Sequence, residues 1–167
     1  MNNERALRLI TRFYQSGLLL DANLLLVLIV GLHYSTRLGQ RKRVKDYKAK
    51  DLILLRGFVG AFSRVLTTPS ILTEVSNLSN STVPDYERDA YTLTLRTVLA
   101  TLVERYPRST DAAKLSIAAR LGLTDASIEH VARYRHAFVL SADDDLVRHL
   151  HSEGLPAIDF AYLKRLP

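Results

Sequence analysis

Residues 17–31 read GLLLDANLLLVLIVG and contain a single charged residue, Asp21. The three leucines before Asp21 form a short apolar run, which is typical of a parallel strand that is buried on both faces. The apolar residues after Asn23 predict a helix over 24–32 that is buried on nearly all sides. Asp21 is therefore expected at the carboxyl end of a buried strand, where open α/β sheets bind their ligands.

Apolar spacing along the rest of the chain predicts strands that alternate with helices. The pattern predicts further strands at 65–68, 137–140 and 156–159, helices at 4–15, 48–66, 69–78, 85–106, 125–134 and 142–153, and a loop at 77–84. Thr68, Thr124 and Ser141 are predicted helix caps. Within the ambiguous segment 109–122, residues 112–119 fit a short helix or a strand, followed by a loop at 121–123. This alternation is typical of a parallel sheet with helices on both faces.

The length and composition are those of a globular protein. A chain of 167 residues fits one domain with its own core, so we expect a single domain over 1–167. Because the chain has no cysteine, disulfides and thiolate metal sites are excluded. Arg5, Arg8 and Arg12 precede the apolar run as in a signal peptide, but Asp21 and Asn23 interrupt that run. We therefore expect a cytoplasmic protein.

The net charge of +6 is concentrated in one segment. Residues 37–50 (RLGQRKRVKDYKAK) contain seven lysines and arginines and one aspartate, so the rest of the chain is neutral. A basic segment on a neutral protein suits a polyanionic ligand, and the candidate contacts are Arg41, Lys42, Arg43 and Lys45. A solvated loop explains these charges equally well.

Three other acids are placed like Asp21. Asp125 and Asp143 are predicted on the inward faces of helices that begin near them, and Glu74 borders the buried stripe of helix 69–78. Singly, each also fits an ordinary structural role, such as a first-turn acid that complements the helix dipole. Together, four carboxylates at one edge of a sheet would repel one another. Mg²⁺ or Mn²⁺, which prefer oxygen ligands, would relieve that repulsion.

Four stretches of the chain resemble the PIN-domain nucleases. They are LLLDAN (18–23), TTPSILTEVSNL (67–78), LGLTDASI (121–128) and VLSADDDLVRHLHSEGLPAIDF (139–160). Their order and spacing match the family along nearly the whole chain. The resemblance implies a three-layer α/β/α sandwich in which Asp21, Glu74, Asp125 and Asp143 are the catalytic, metal-binding acids.

The same resemblance implies further roles. Asn23 and Ser141 match supporting polar positions, although the family more often has Thr at the latter, and Asp145 matches an additional acid. The family typically cleaves single-stranded RNA by metal-dependent hydrolysis. Many members are toxins with an antitoxin partner, and homodimers are common among them. This chain is longer than the compact toxins, chiefly through a basic loop and helix at about 37–66.

The resemblance therefore implies a Mg²⁺- or Mn²⁺-dependent endoribonuclease, with the toxin of a toxin–antitoxin pair as one such role. Other functions agree with the same residues. In a binding module of the same fold, the acids would serve an interaction with RNA or protein instead of turnover. A metal-dependent phosphatase or a DNA-acting nuclease is also open, because a carboxylate cluster does not distinguish RNA from DNA.

Overall fold

Five short strands form one parallel sheet at the centre of the protein. The structure, a computed structural model, describes residues 10–165. The strands are β1 (Leu18–Leu20), β2 (Val65–Thr67), β3 (Leu102–Glu104), β4 (Phe138–Ser141) and β5 (Ala157–Asp159). Their order is β3-β2-β1-β4-β5, and every neighbouring pair is parallel.

Helices occupy the connections between the strands. They are α1 (Ala22–Tyr34), α2 (Ala49–Gly60), α3 (Pro69–Asn80), α4 (Arg88–Leu99), α5 (Ser109–Ala112), α6 (Ala118–Leu121), α7 (Leu123–Arg135), α8 (Asp144–Ser152) and α9 (Phe160–Leu163), with 3-10 turns at Ser35–Gln40 and Asp85–Glu87. Crossover connections between parallel strands are right-handed, so this strand order distributes the helices over both faces of the sheet. The predicted α/β class and the three-layer sandwich are confirmed.

β1 is the central strand and lies between β2 and β4. Its residues pair with those of β4 in register, with Leu20 opposite Leu140, and all three of its side chains are buried. Gly17, just before β1, has a φ of +97°, and a Cβ there would lie 2.7 Å from the Arg64 side chain. A glycine is therefore required at this entry to the sheet, on both conformational and steric grounds.

α1 is buried on nearly all sides, as the sequence predicts for 24–32. It packs against β1 and β4 and against the helices α2, α3 and α4. The contact with α2 is close, because a Cβ on Gly31 would lie 2.5 Å from a Leu52 methyl group. The 37–66 segment thus contributes part of the core through α2, whose Leu52 and Leu55 are buried.

Two predicted helices are too long. Helix 48–66 ends at Gly60, and the chain then turns into β2. Helix 85–106 consists of a 3-10 turn and α4, which ends at Leu99, and its last residues form β3 instead. A three-residue, half-buried strand such as β3 is too short to show an alternating pattern, so its apolar residues appeared to continue the helical stripe.

Two of the three predicted caps are also wrong. Thr68 does cap α3, since its hydroxyl accepts a hydrogen bond from Ile71 N at 3.3 Å. Ser141, however, is the last residue of β4, and the cap of α8 is Asp143. Thr124 lies inside α7, which begins at Leu123. Only one or two residues separate α7 and α8 from the elements before them. Apolar spacing alone therefore misplaced the start of each helix by one or two residues.

The remaining boundaries differ in smaller ways. The predicted loop 77–84 begins later, since α3 continues to Asn80. The single helix or strand predicted around 112–119 is not formed, since α5 ends at Ala112, α6 begins at Ala118, and the residues between them are turns. Residues 10–13 are helical and lead towards β1, while the first part of the predicted helix 4–15 lies outside the described residues. Within residues 10–165, no helix combines the length and apolarity needed to cross a bilayer.

Candidate functional site

The strand order places a crevice at the carboxyl end of β1. From β1 the chain proceeds outward to β2 and β3, then returns to add β4 on the other side of β1. Ligands of open α/β sheets bind where the order reverses in this way. Asp21 directly follows β1 and Ser141 ends β4, so both lie at this reversal.

Asp21 is held at the site by three hydrogen bonds. One carboxylate oxygen accepts from Leu24 N at 2.7 Å, and the other accepts from Ala142 N at 2.7 Å and from the Ser141 hydroxyl. The residue is only 3% exposed. Burial raises the pKa of Asp21 above its ordinary value, although these hydrogen bonds act in the opposite direction. The sequence predicted the position of Asp21 but not the donors around it.

Asp143 and Ser141 form the other side of the crevice. The Ser141 hydroxyl donates to Asp21 and accepts a hydrogen bond from Asp143 N at 2.9 Å. One oxygen of Asp143 caps α8 by accepting from Asp145 N at 2.8 Å and Leu146 N at 3.1 Å. Both of these bonds reach the same oxygen of Asp143, and the other oxygen accepts no hydrogen bond from a described residue.

Asp125, in the first turn of α7, is the acid most affected by its neighbours. Its half-buried carboxylate has no hydrogen-bond donor among the described residues. Burial, followed by three neighbouring negative charges, raises the pKa of Asp125 to about 7. These charges are, in order of effect, Asp143, Asp21 and Glu74. The three other predicted acids therefore all act on Asp125 at this edge of the sheet.

Glu74 lies on α3 beside an open cavity of about 490 Å³. Thr73, Asn77 and Thr124 also line this cavity, which gives it a polar wall next to the acids. A larger cavity, of about 710 Å³, lies beside β5 and includes none of the four acids. The larger of these two cavities thus lies away from the acids, whereas the smaller, open one reaches Glu74.

A buried hydrogen bond joins the two helices that carry Glu74 and Asp125. The Thr68 hydroxyl, at the start of α3, lies 3.1 Å from the Ser127 hydroxyl in α7. Sequence analysis assigned Thr68 only a capping role and gave Ser127 no role. The signal that could have indicated this pair is its position, since each hydroxyl stands near a candidate acid at a helix start.

Two of the predicted supporting residues lie at the margin of the site. Asn23 is in the first turn of α1 and is exposed. Asp145 is exposed as well, and its carboxylate is bound by the Arg148 guanidinium. The structure therefore brings Ser141 against Asp21 but pairs Asp145 with a base on its own helix.

The four basic candidates differ in their surroundings. The guanidinium of Arg41 lies 3.9 Å from the centre of the Tyr34 ring and makes a 3.0 Å ion pair with Glu87. Arg43 donates a 3.3 Å hydrogen bond to Ser81, whereas Lys42 and Lys45 are exposed and form no ion pair with a described residue. The two lysines are thus the members of this set that can reach a phosphate without breaking an existing contact.

Tyr47, at the end of the basic segment, also lies near the acids. Burial, followed by the charge of Asp21, raises the pKa of the Tyr47 phenol to about 12. Its ring packs against Phe160 with the centroids 6.2 Å apart, and the Lys164 ammonium lies 5.6 Å from its centre. The basic segment therefore returns to the functional edge of the sheet, which its charge pattern did not reveal.

The donor chemistry of the cluster fits a hard divalent cation. The four groups are carboxylates, and their mutual repulsion is a cost that a dication would remove. As the side chains stand, however, no three His, Asp or Glu residues within 10–165 approach closely enough to form a metal-binding group. Glu74 and Asp125 make no hydrogen bond with a described side chain. Their carboxylates are therefore free to move towards the other acids when a metal ion binds.

Comparisons with known proteins add no relative: no family model matches the chain, and no curated protein or solved structure matches it either.

Proposed function

We propose that this chain is a metal-dependent endoribonuclease of the PIN-domain type. The observation that carries the proposal is the electrostatic coupling at the carboxyl edge of the sheet, where three negative charges act on Asp125. Residues with strongly perturbed pKa values in a crevice are typical of functional sites. The resemblance of the four acid-bearing stretches to PIN-domain nucleases supplies the class of reaction.

In this proposal Asp21, Asp125 and Asp143 hold Mg²⁺ or Mn²⁺, and Glu74 completes the set of ligands or orients the attacking water. When bound, such an ion activates water and stabilises the charge that develops on a phosphate. The Ser141 hydroxyl keeps the Asp21 carboxylate in one orientation by donating to it. These residues would act on the phosphodiester backbone and would not distinguish one base from another.

Other residues of the chain would hold the substrate. The open cavity beside Glu74 exposes the hydroxyl of Thr73 and the amide of Asn77, which suit the sugar and phosphate oxygens of RNA. Lys42 and Lys45 supply positive charge that the acidic crevice lacks. Because these contacts reach only the backbone, we expect little dependence on base sequence at the acids.

The test is the cleavage of a mixed-sequence single-stranded RNA by wild type and by Asp125→Asn, each with Mn²⁺, Mg²⁺ or EDTA. We expect metal-dependent cutting by wild type and a loss of at least about 100-fold in the variant, since a ligand of the ion is removed. Asp125 suits this test because its carboxylate accepts no hydrogen bond from a described residue. Its replacement therefore removes charge without breaking a folding contact.

Asp89→Asn is the matched control. Asp89 is also a first-turn helix acid, on α4, but it is exposed and outside the cluster. Cutting that persists in EDTA, or that both variants retain, would contradict the proposal. Single-stranded DNA of the same sequence, assayed in parallel, separates an RNA-acting from a DNA-acting nuclease.

A binding module without turnover is the second candidate. It is favoured by the absence, within residues 10–165, of three acids already gathered for a metal ion. In that case wild type binds single-stranded RNA or a protein partner equally well with and without EDTA, and no metal supports cutting. The assay above distinguishes the two candidates directly.

The resemblance also leads us to propose a cytoplasmic protein that forms a homodimer, with an antitoxin as its partner in the toxin role. Sedimentation of the purified chain tests the dimer. Rescue of growth by a neighbouring small reading frame, after expression of the chain has arrested growth, tests the antitoxin.

A further inference from the structure

A small cleft separates the segment after β3 from the middle of α7. Its volume is about 130 Å³, and its walls are aromatic and cationic: Arg105, Tyr106, Pro107, His130, Tyr134 and Arg135. Sites for whole small-molecule ligands measure roughly 300–1,000 Å³. This cleft therefore suits one planar group and is too small for an entire metabolite.

Two tyrosines at the cleft keep their rings in solvent. Tyr106 is 73% exposed and Tyr134 is 65% exposed. Each ring is nonetheless held, because the Tyr106 hydroxyl donates to Glu104 at 2.8 Å and the Tyr134 ring lies 4.5 Å from the His130 ring, centre to centre. Fixed aromatic faces that contribute little to the core are suited to stacking on a ligand.

The cations of the cleft are not neutralised by acids of the protein. Within residues 10–165, neither Arg105 nor Arg135 forms an ion pair, and the buried Nε of Arg105 has no acceptor. Arg133, on the same helix, is instead bound by Glu129 at 2.6 Å and Glu153 at 2.8 Å. The cleft thus combines aromatic faces with unpaired guanidinium groups, which suit a base and its phosphates.

One wall of the cleft begins at the carboxyl edge of the sheet, where the acids lie. Arg105 N donates to Thr67 O at 2.8 Å, which fixes this segment at the carboxyl edge. β3 is two strands away from β1, a distance of about 10 Å. On α7, His130 follows Asp125 by five residues and Tyr134 follows it by nine, about 8 Å and about 14 Å along the helix. A single polynucleotide can therefore reach both places.

We propose that the cleft between Tyr106 and Tyr134 is a subsite that stacks one base of single-stranded RNA, with Arg105 and Arg135 binding the adjoining phosphates. The identity of the polynucleotide rests on the proposed function. Stacking of this kind accepts any base, because every base has an aromatic face. The subsite holds the strand near the acids without selecting a sequence.

The test measures the affinity of the full-length chain, in EDTA, for a labelled single-stranded RNA and for an abasic oligomer of the same length. We expect Tyr134→Ala to weaken RNA binding by about tenfold and to leave the abasic oligomer unaffected, because only a base can stack. Tyr134→Phe keeps the ring and should bind like wild type. Tyr86→Ala is the matched control, since Tyr86 is 84% exposed and lies outside the cleft.

An equal loss with the abasic oligomer, a similar loss from Tyr86→Ala, or no RNA binding by wild type would each overturn the subsite. Cleavage with Mn²⁺, measured on the same preparations, separates this inference from the proposed function. If Tyr134→Ala weakens the binding of RNA but not of the abasic oligomer, and no cleavage is seen, only the proposed nuclease activity is contradicted. If the protein cuts RNA but Tyr134→Ala leaves its affinity for RNA unchanged, only the proposed subsite is contradicted.

Discussion

Helix α7 carries two acids, four residues apart, in opposite surroundings. Asp125 is half-buried, and the charges that act on it are three other carboxylates. Glu129 is more deeply buried, at 2% exposure, but Arg133 binds it at 2.6 Å and His149 lies 2.8 Å from its other oxygen. One acid is matched by a guanidinium group and a histidine ring nitrogen, and the other is opposed by the charges of its neighbours.

This difference separates a structural acid from a candidate functional one. Glu129 joins α7 to α8 through His149, and Arg133 extends the network to Glu153. Asp125 forms no such link, and its repulsion from the other acids costs the protein stability. Burial of a carboxylate therefore says little about its role, whereas the sign of the surrounding charges says much.

The largest effect that tests this contrast is on the structural acid. Glu129→Gln removes the buried charge that binds Arg133 and lies beside His149, so we expect the free energy of unfolding to fall by about 3 kcal/mol. Metal-dependent cutting per folded molecule should be unchanged. Urea denaturation checks the stability, with Glu153→Gln as a control expected to cost less than about 1 kcal/mol because Glu153 is exposed. Equal losses in the two variants would contradict the structural role of Glu129.

A smaller effect is expected at Asp21. Its carboxylate accepts hydrogen bonds from several donors, but the negative charge of Asp143 also acts on it. The amide in Asp21→Asn can no longer accept all three of the hydrogen bonds that reach the carboxylate. We expect a loss of about 1–3 kcal/mol of stability, together with the loss of cutting. Asp159→Asn is the control, since Asp159 caps α9 through a single bond that an asparagine can keep. A stable Asp21→Asn protein would show that these bonds contribute little.

The smallest effect concerns pH and the functional acid. The folded pKa of Asp125, about 7, lies above the value of 3.8 that applies in the unfolded chain. The folded state thus binds the proton more tightly, and between these two values stability falls as pH rises. In EDTA, lowering the pH from 8 to 5 would stabilise wild type over Asp125→Asn by about 2–3 kcal/mol from these two values alone. Because the carboxylate is only half-buried, solvent screens the repulsion, and we expect about 1 kcal/mol. Thermal denaturation of the two proteins, compared at both pH values, checks this. Parallel pH profiles would contradict the repulsion at Asp125.

Sequence reasoning found the parts of the fold that have strong local patterns. β1 and α1 were predictable because an apolar run interrupted by one acid fits few structures other than a buried strand followed by a buried helix. β3 was not, since its half-buried residues follow α4 without a loop between them. The strand order, which makes the crevice, depends on pairings between distant segments and left no local signal.

The candidate site shows the same limit. The four acids were predicted together because each begins a helix or borders a buried stripe, and the structure brings their charges into interaction. The donor from Ser141 to Asp21 joins residues 120 positions apart, so no spacing could indicate it. Arg41 looked free because a basic segment does not show which of its charges has an ion-pair partner elsewhere, in this case Glu87.

The close contact between Gly31 and Leu52 bears on how this chain can vary. Surface insertions are tolerated in many proteins, because their removal exposes no buried apolar residues. Loss of α2 would instead expose the apolar side of α1 that Leu52 and Leu55 cover. A shortened version of the protein would therefore have to replace this covering with polar residues on α1 or with another chain. The helix within residues 37–66 is thus a part of the core that a shortened chain could not simply omit.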